Sequence, residues 1–417
     1  MYDLYPPHVF VHKRVYRNAN AVKRLARMLR GLRNPHVTEV EAGDTDKVIE
    51  ASGAREDIAV MSGRVRQGLE RRRVDPIFLF NSFVWDRSQV APVQKKYKNV
   101  RAAAIARLMA GVGEDFVFSR REPSFMDRGP YVCQGGWGIH SLLGCVHKCN
   151  YCGQGYIVNF MLDLDEFAAC VSRNFELRPH QNLYRYDLYS DSICFEPEYG
   201  ASEVLSKTFA ESKDKYLLYY TKSDNVDHLL DLPYKTHSIF YITLSTDTVS
   251  REIERDTPNT DDRIEALRRC QEAGYRVRVG FSPIIPVKHW REEAASTLER
   301  LFAKVDPENV RLWVVSMMTA AEAELLFDIN ILDPEYVEAM RKAAPIMNTK
   351  HSAPFPTEVR AEIYSYYVDE IKRISPKTPV SLCTEELQQW EILGDKIGMS
   401  PKNQFCCCGG TSVPRRG

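Results

Sequence analysis

Cys145, Cys149 and Cys152 lie in the run Gly144-Cys-Val-His-Lys-Cys-Asn-Tyr-Cys-Gly153, a C-x3-C-x2-C spacing. Three thiolates this close in one loop suit three irons of a [4Fe–4S] cube and leave the fourth iron without a protein ligand. Closed electron-transfer clusters take four cysteines. An open iron can bind a small molecule, so the missing ligand points to catalysis at the cluster. Zinc is the competing reading. Zinc sites build from C-x2-C pairs joined by a second pair or by histidines at set spacing. No second C-x2-C pair exists here, and His147 lies inside the loop.

Composition bounds the setting. The chain has 417 residues, 44% of them hydrophobic, enough for a sizeable core. Lys+Arg and Asp+Glu balance at 56 each, so no overall field draws it to nucleic acid. Basic runs crowd the first part: His12-Lys13-Arg14, Lys23-Arg24, Arg71-Arg72-Arg73 and Lys95-Lys96. They read as solvated helix faces or as a local nucleic-acid surface. No apolar stretch approaches a membrane span, and the first residues lack the apolar core of a signal peptide. Eleven cysteines in tight groups fit a reducing, cytoplasmic setting better than a disulfide framework.

The elements that must position the cysteines follow a strand–helix rhythm. Residues 1–130 read as a basic, mostly helical N-terminal domain, with apolar spacing through Val22, Leu25, Met28 and Leu29. From 131 to 320, strands are expected at Ile139–Leu143, Leu183–Tyr189, Tyr216–Tyr220, Ser238–Leu244, Val277–Ser282 and Val310–Ser316, with helices between. Six repeats predict an α/β fold, a partial (β/α)6 barrel, with chemistry at the strand C-terminal ends. The cysteine loop follows the first strand. Residues 321–417 read as a C-terminal helical extension with one further strand near Thr378–Cys383 and a tail carrying Cys406, Cys407 and Cys408.

The cysteine loop resembles that of the radical S-adenosylmethionine (SAM) superfamily. Several segments are similar to spore photoproduct lyase and its relatives, a branch of that superfamily: Gly144 to Cys152, Tyr220-Thr-Lys-Ser-Asp-Asn-Val-Asp-His228, Phe240-Tyr-Ile-Thr-Leu-Ser245 and Phe281-Ser-Pro-Ile-Ile-Pro286. The resemblance implies a radical SAM barrel that carries a [4Fe–4S] cluster and S-adenosyl-L-methionine. It implies that Tyr151 belongs to the cluster motif, that Lys222 and Ser245 contact SAM, and that the loop at Ile284 packs near the adenine. An ammonium at a strand end offers a charge-assisted partner to a carboxylate. Taken alone, Lys222 could instead pair with Asp224 or Asp227. Ser190 and Ser192 are further candidates for the amino or carboxylate group of SAM, with Asp191 and Glu196 behind them.

The chain also departs from that branch. The lyase quenches its product radical with a cysteine at the end of the second strand; here the position is Tyr189 or Ser190, and Cys194 follows four or five residues on. Gly153 stands where the lyase has a tyrosine. The expected function is reductive SAM cleavage and use of a 5′-deoxyadenosyl radical on a modified thymine base in DNA, as lyase or isomerase. The electron donor would be of the flavodoxin or ferredoxin kind. One alternative is transfer of the 3-amino-3-carboxypropyl group of SAM to a thiophile such as arsenite held by the cysteine tail, for thiolates favour soft partners. Another is a non-enzymatic iron–sulfur sensor or scaffold.

Overall fold

The computed structural model describes residues 1–52, 75–86, 88, 100–113, 118–121, 131–154, 157–350 and 354–414. Its strands, in chain order, are β1 (Val9–His12), β2 (Val37–Val40), β3 (Ile77–Asn81), β4 (Phe118–Arg121), β5 (Tyr131–Val132), β6 (Gly136–Ile139), β7 (Leu142–Leu143), β8 (Ile157–Met161), β9 (Leu183–Tyr186), β10 (Tyr216–Thr221), β11 (Ser238–Leu244), β12 (Arg276–Ile284), β13 (Val310–Val314), β14 (Val380–Leu382) and β15 (Glu385–Glu386).

The main sheet runs β14-β13-β12-β11-β10-β9-β6-β4. From β6 to β14 every neighbouring pair is parallel, and β4 closes the edge antiparallel to β6. This is the half-barrel the repeats predict, with seven parallel strands because β14, expected as one more strand, joins the same sheet. Strands buried on both faces read as near-continuous apolar runs; all seven residues of β11 are buried. A helix between barrel strands starts well where a side chain satisfies free backbone donors. Asn259 does this for the helix Thr260–Glu272, where its side chain accepts from the Asp262 amide.

Two expectations change. The first barrel strand is β6, earlier than Ile139–Leu143; the chain leaves the barrel at His140, and Leu142–Leu143 pairs antiparallel with β8 instead. Among the described residues before 130, a sheet accompanies the helices Ala19–Gly31, Thr45–Ala51 and Val100–Ala110. The first of these is the expected helix, but β1, β2 and β3 form a second sheet of order β2-β1-β3-β8-β7. Here β8, the strand after the cysteine loop, pairs parallel with β3. The loop is therefore held between two sheets. The runs Arg71-Arg72-Arg73 and Lys95-Lys96 lie outside the described residues. Among the described residues, no helix is long and apolar enough to cross a membrane.

Candidate active site

The cysteine loop begins with a backbone turn that demands glycine. Gly144 has φ +94°, and a Cβ there would stand 1.7 Å from the Ile157 carbonyl oxygen. Its amide donates to the Tyr189 carbonyl at 2.9 Å. Further on, the Lys148 amide donates to Arg255 and the Asn150 amide to Ile253, while the Asn150 side chain donates to Leu326. His147 Nδ1 donates to the Asp256 carbonyl at 2.6 Å, and its Nε2 lies 3.2 Å from Asp191 and 3.4 Å from the Cys194 thiol. The loop is thus anchored at many points before any metal is considered. Burial raises the Cys145 and Cys149 thiols above their ordinary range. Ligation must overcome this, because metals take thiolates.

Beside the loop stands a buried charge network. Glu254 is paired with Lys222 at 3.0 Å and with Arg263 at 2.8 Å, and it accepts a hydrogen bond from Tyr151. Burial alone would raise this carboxyl, but Lys222 and Arg263 outweigh it and hold it at about 2. Lys222 also donates to the Ser282 carbonyl at 3.3 Å. Its partner is Glu254, not Asp224 or Asp227. Asp224 accepts from Tyr2, and Asp227 pairs with Arg269.

Side chains alternate across a strand, so Tyr241, Thr243 and Ser245 climb one inner wall. The hydroxyls of Ser190, Thr243, Ser245 and Thr246 are covered, yet none has a hydrogen-bond partner among the described residues. Buried polar groups are normally satisfied, and four orphans in one region fit a polar ligand. Together with the Lys222 ammonium and the three cysteines, they suit a [4Fe–4S] cluster with SAM beside it. Ile284 is buried at the end of β12, two residues past Ser282.

Next to these groups lies a cavity of about 120 Å³, lined among others by Arg185, Tyr220, Ser282, Arg311 and Trp313. Its floor is the tail. Gly410 is gripped by the backbone of Gly135, Asn182 and Leu183, and the Cys407 carbonyl accepts from Arg278 at 2.8 Å. A Cβ at Gly136 would stand 2.9 Å from the Cys408 carbonyl oxygen, so this strand leaves its room to the tail. Cys406 and Cys408 line the cavity with Cys133 and Cys383. Hydrogen bonds from Cys406 and Cys407, helped by Arg185 and Arg311, hold the Cys408 thiol well below its ordinary range against the effect of burial.

The other expected residues sort as follows. Tyr189 packs its ring on His140, 4.3 Å between centroids. Cys194 is fully buried against His147 under the cysteine loop and is not among the cavity-lining residues. The Ser192 side chain lies outside the described residues. Asp191 is committed to Thr221, the Lys222 amide and His147. Glu196 caps the helix Ala201–Ala210 by accepting from the amides of Gly200, Ala201 and Ser202.

Sequence reasoning missed Glu254, Arg185 and Arg311. A signal existed for the arginines: each sits between apolar neighbours in a strand, where alternation turns it toward the barrel interior.

The spore photoproduct lyase family profile matches residues 94–319, just over half of the 417 residues. The chain belongs to the spore photoproduct lyase family, within the radical SAM superfamily. It is 22% identical over 228 residues to the spore photoproduct lyase of Clostridium acetobutylicum, covering 52% of this chain and 65% of that protein. It is 24% identical over 224 residues to that of Bacillus subtilis, covering 52% and 61%. The chain thus spans somewhat less than two thirds of the length of these curated relatives. Among solved structures, a spore photoproduct lyase mutant superposes with a TM-score of 0.61 at 14% identity, covering 91% of this chain and 99% of that one. A double mutant with bound AdoMet and dinucleoside spore photoproduct gives 0.58 at 14% identity, covering 90% and 98%. At such identity the structural likeness speaks for the fold.

Proposed function

We propose that this chain is a radical SAM enzyme. Cys145, Cys149 and Cys152 would hold a [4Fe–4S] cluster, SAM would lie against Lys222 and the orphan hydroxyls, and a substrate ring would enter the adjoining cavity. The most economical substrate is a thymine-derived base of DNA. The observation that carries this reading is what meets at the strand C-terminal ends: the Lys222–Glu254 pair, the orphan hydroxyls of Thr243 and Ser245, and a cavity lined by Arg185, Tyr220, Ser282 and Arg311, whose Ser282 carbonyl accepts from Lys222.

When bound, the cluster supplies one electron, drawn from a flavodoxin- or ferredoxin-like donor, that splits the sulfonium of SAM and yields the 5′-deoxyadenosyl radical. Lys222, steadied by Glu254, offers its ammonium to the SAM carboxylate. Ser190, Thr243, Ser245 and Thr246 would offer hydroxyls to its remaining polar atoms, and the β12 end at Ile284 would pack near the adenine. A cavity of about 120 Å³ is of the order that holds one small ring, since a ~150 Å³ cavity takes up benzene. Arginine and tyrosine donors around it suit the carbonyl edge of a pyrimidine extruded from its strand. Tyr189 or Ser190 stands where the resemblance places a hydrogen donor, but thiols also line this cavity. That supports either a lyase outcome quenched by a thiol or a rearrangement that returns the hydrogen to 5′-deoxyadenosine.

Anaerobic reconstitution with iron, sulfide, SAM and dithionite tests this. The expected product is 5′-deoxyadenosine, formed faster with a thymine photoproduct or modified-thymine oligonucleotide. Methylthioadenosine as the sole product overturns the reading in favour of aminocarboxypropyl transfer. No cleavage of SAM overturns it in favour of a redox scaffold.

A further inference from the structure

The tail carries a second cluster of sulfur, separate from the cysteine loop. One ligand atom each of Cys406, Cys407 and Cys408 lies within 4.8 Å of the others, and all three residues are buried. Adjacent residues usually point apart; here the backbone is bent by its ties to Gln134, Arg278 and Asn309. The Cys408 sulfur faces positive charge. Arg185 Nη1 is 3.9 Å from Cys408 Sγ, and Arg311 lies against Tyr220 and Tyr241. Both guanidiniums are buried. Among the described residues, neither has a carboxylate within 4.0 Å. A buried charge is normally compensated. The Cys408 thiol is the anion-forming group nearest Arg185; hydrogen bonding among the tail cysteines pushes the Cys406 thiol up and burial pushes the Cys407 thiol up, which ligation must overcome.

We propose that Cys406, Cys407 and Cys408 form a three-thiolate site for a soft, thiophilic metal ion on the floor of the reaction cavity. Thiolate ligands select soft and borderline ions over hard ones. Binding a divalent ion replaces up to three S–H bonds by metal–sulfur bonds and releases the protons to solvent, with no change of oxidation state. The complex then carries net negative charge beside Arg185 and Arg311, which supply the compensation. The site does not depend on the reaction proposed above, because it is read by metal uptake rather than by SAM cleavage.

The test uses cluster-loaded protein titrated with cadmium under anaerobic conditions, following bound cadmium, retained iron and the ultraviolet cadmium–thiolate charge-transfer band. One further equivalent of cadmium is expected, with iron unchanged. A Cys406→Ser/Cys407→Ser/Cys408→Ser variant should lose it, a weakening of about tenfold or more. Should that variant fail to keep its iron, Cys407→Ser alone is read instead, and its charge-transfer band should shrink. Wild-type uptake of no additional cadmium overturns the proposal. So does equal uptake by an iron-retaining serine variant.

Discussion

The Lys222 ammonium sits 3.0 Å from the Glu254 carboxylate, and Glu254 is in turn held by Arg263 from the helix behind it. A buried carboxylate shared by two cations has charge left to orient both, so Lys222 is aimed before any ligand arrives. Replacing Lys222 by Ala should weaken SAM binding by about 1.5–3 kcal/mol, the range for hydrogen bonds to charged groups. Iron content should stay unchanged, since Lys222 is not a cluster ligand. Calorimetric SAM binding alongside iron assay checks this; unaltered affinity would remove Lys222 from the cofactor site.

Glu254 also sets a pH response. Its carboxyl is held at about 2 against an ordinary value of 4.5. A depressed carboxyl contributes stability that is present above the unfolded value and lost as pH falls through the folded one. The window is therefore roughly pH 5 down to 2, and the contribution is about 3 kcal/mol at most. Glu254→Gln should flatten the wild-type decline across that window in denaturant melts. It should also be less stable at neutral pH, because Lys222 and Arg263 lose their shared anion.

The orphan hydroxyl of Ser245 separates a binding role from a packing role. An unsatisfied buried hydroxyl adds nothing to the free fold, so Ser245→Ala should melt at the wild-type temperature or slightly above it. SAM affinity should nevertheless fall. A variant that loses stability and keeps full affinity would mark Ser245 as a structural residue.

Gly144 bears on assembly of the metal centre. Alanine there would have to relieve a 1.7 Å approach to the Ile157 carbonyl oxygen at a positive φ, with strain of about 1–3 kcal/mol from the backbone alone. The Gly144→Ala chain should take up markedly less iron on reconstitution, measured per folded chain by absorbance and iron assay.

How far the sequence reached depends on whether a feature is local. The cysteine spacing, the strand–helix repeats and the segments around Lys222 and Ser245 are written within a few residues each, and the barrel followed from them. The second sheet did not, because it pairs β3 with β8 across a long stretch of chain and neither strand announces its partner. Glu254 was hidden for the same reason: its meaning lies in Lys222 and Arg263, which reach it from other elements. The tail cysteines were visible as residues, but their place beneath Arg185 and Arg311 is a tertiary fact. A radical-quenching thiol is expected after the second strand, where Tyr189 or Ser190 stands, whereas the thiols that line the cavity come from Cys133, Cys383 and the tail.

The plug formed by the tail also has a consequence in the order of synthesis. Every barrel strand precedes residues 404–412 in the chain, so a nascent barrel emerges from the ribosome open at its base and is closed only when the tail threads beneath Gly136. Until then the interior can be reached from both ends. Once the tail is seated, Cys406 and Cys408 become part of the cavity wall.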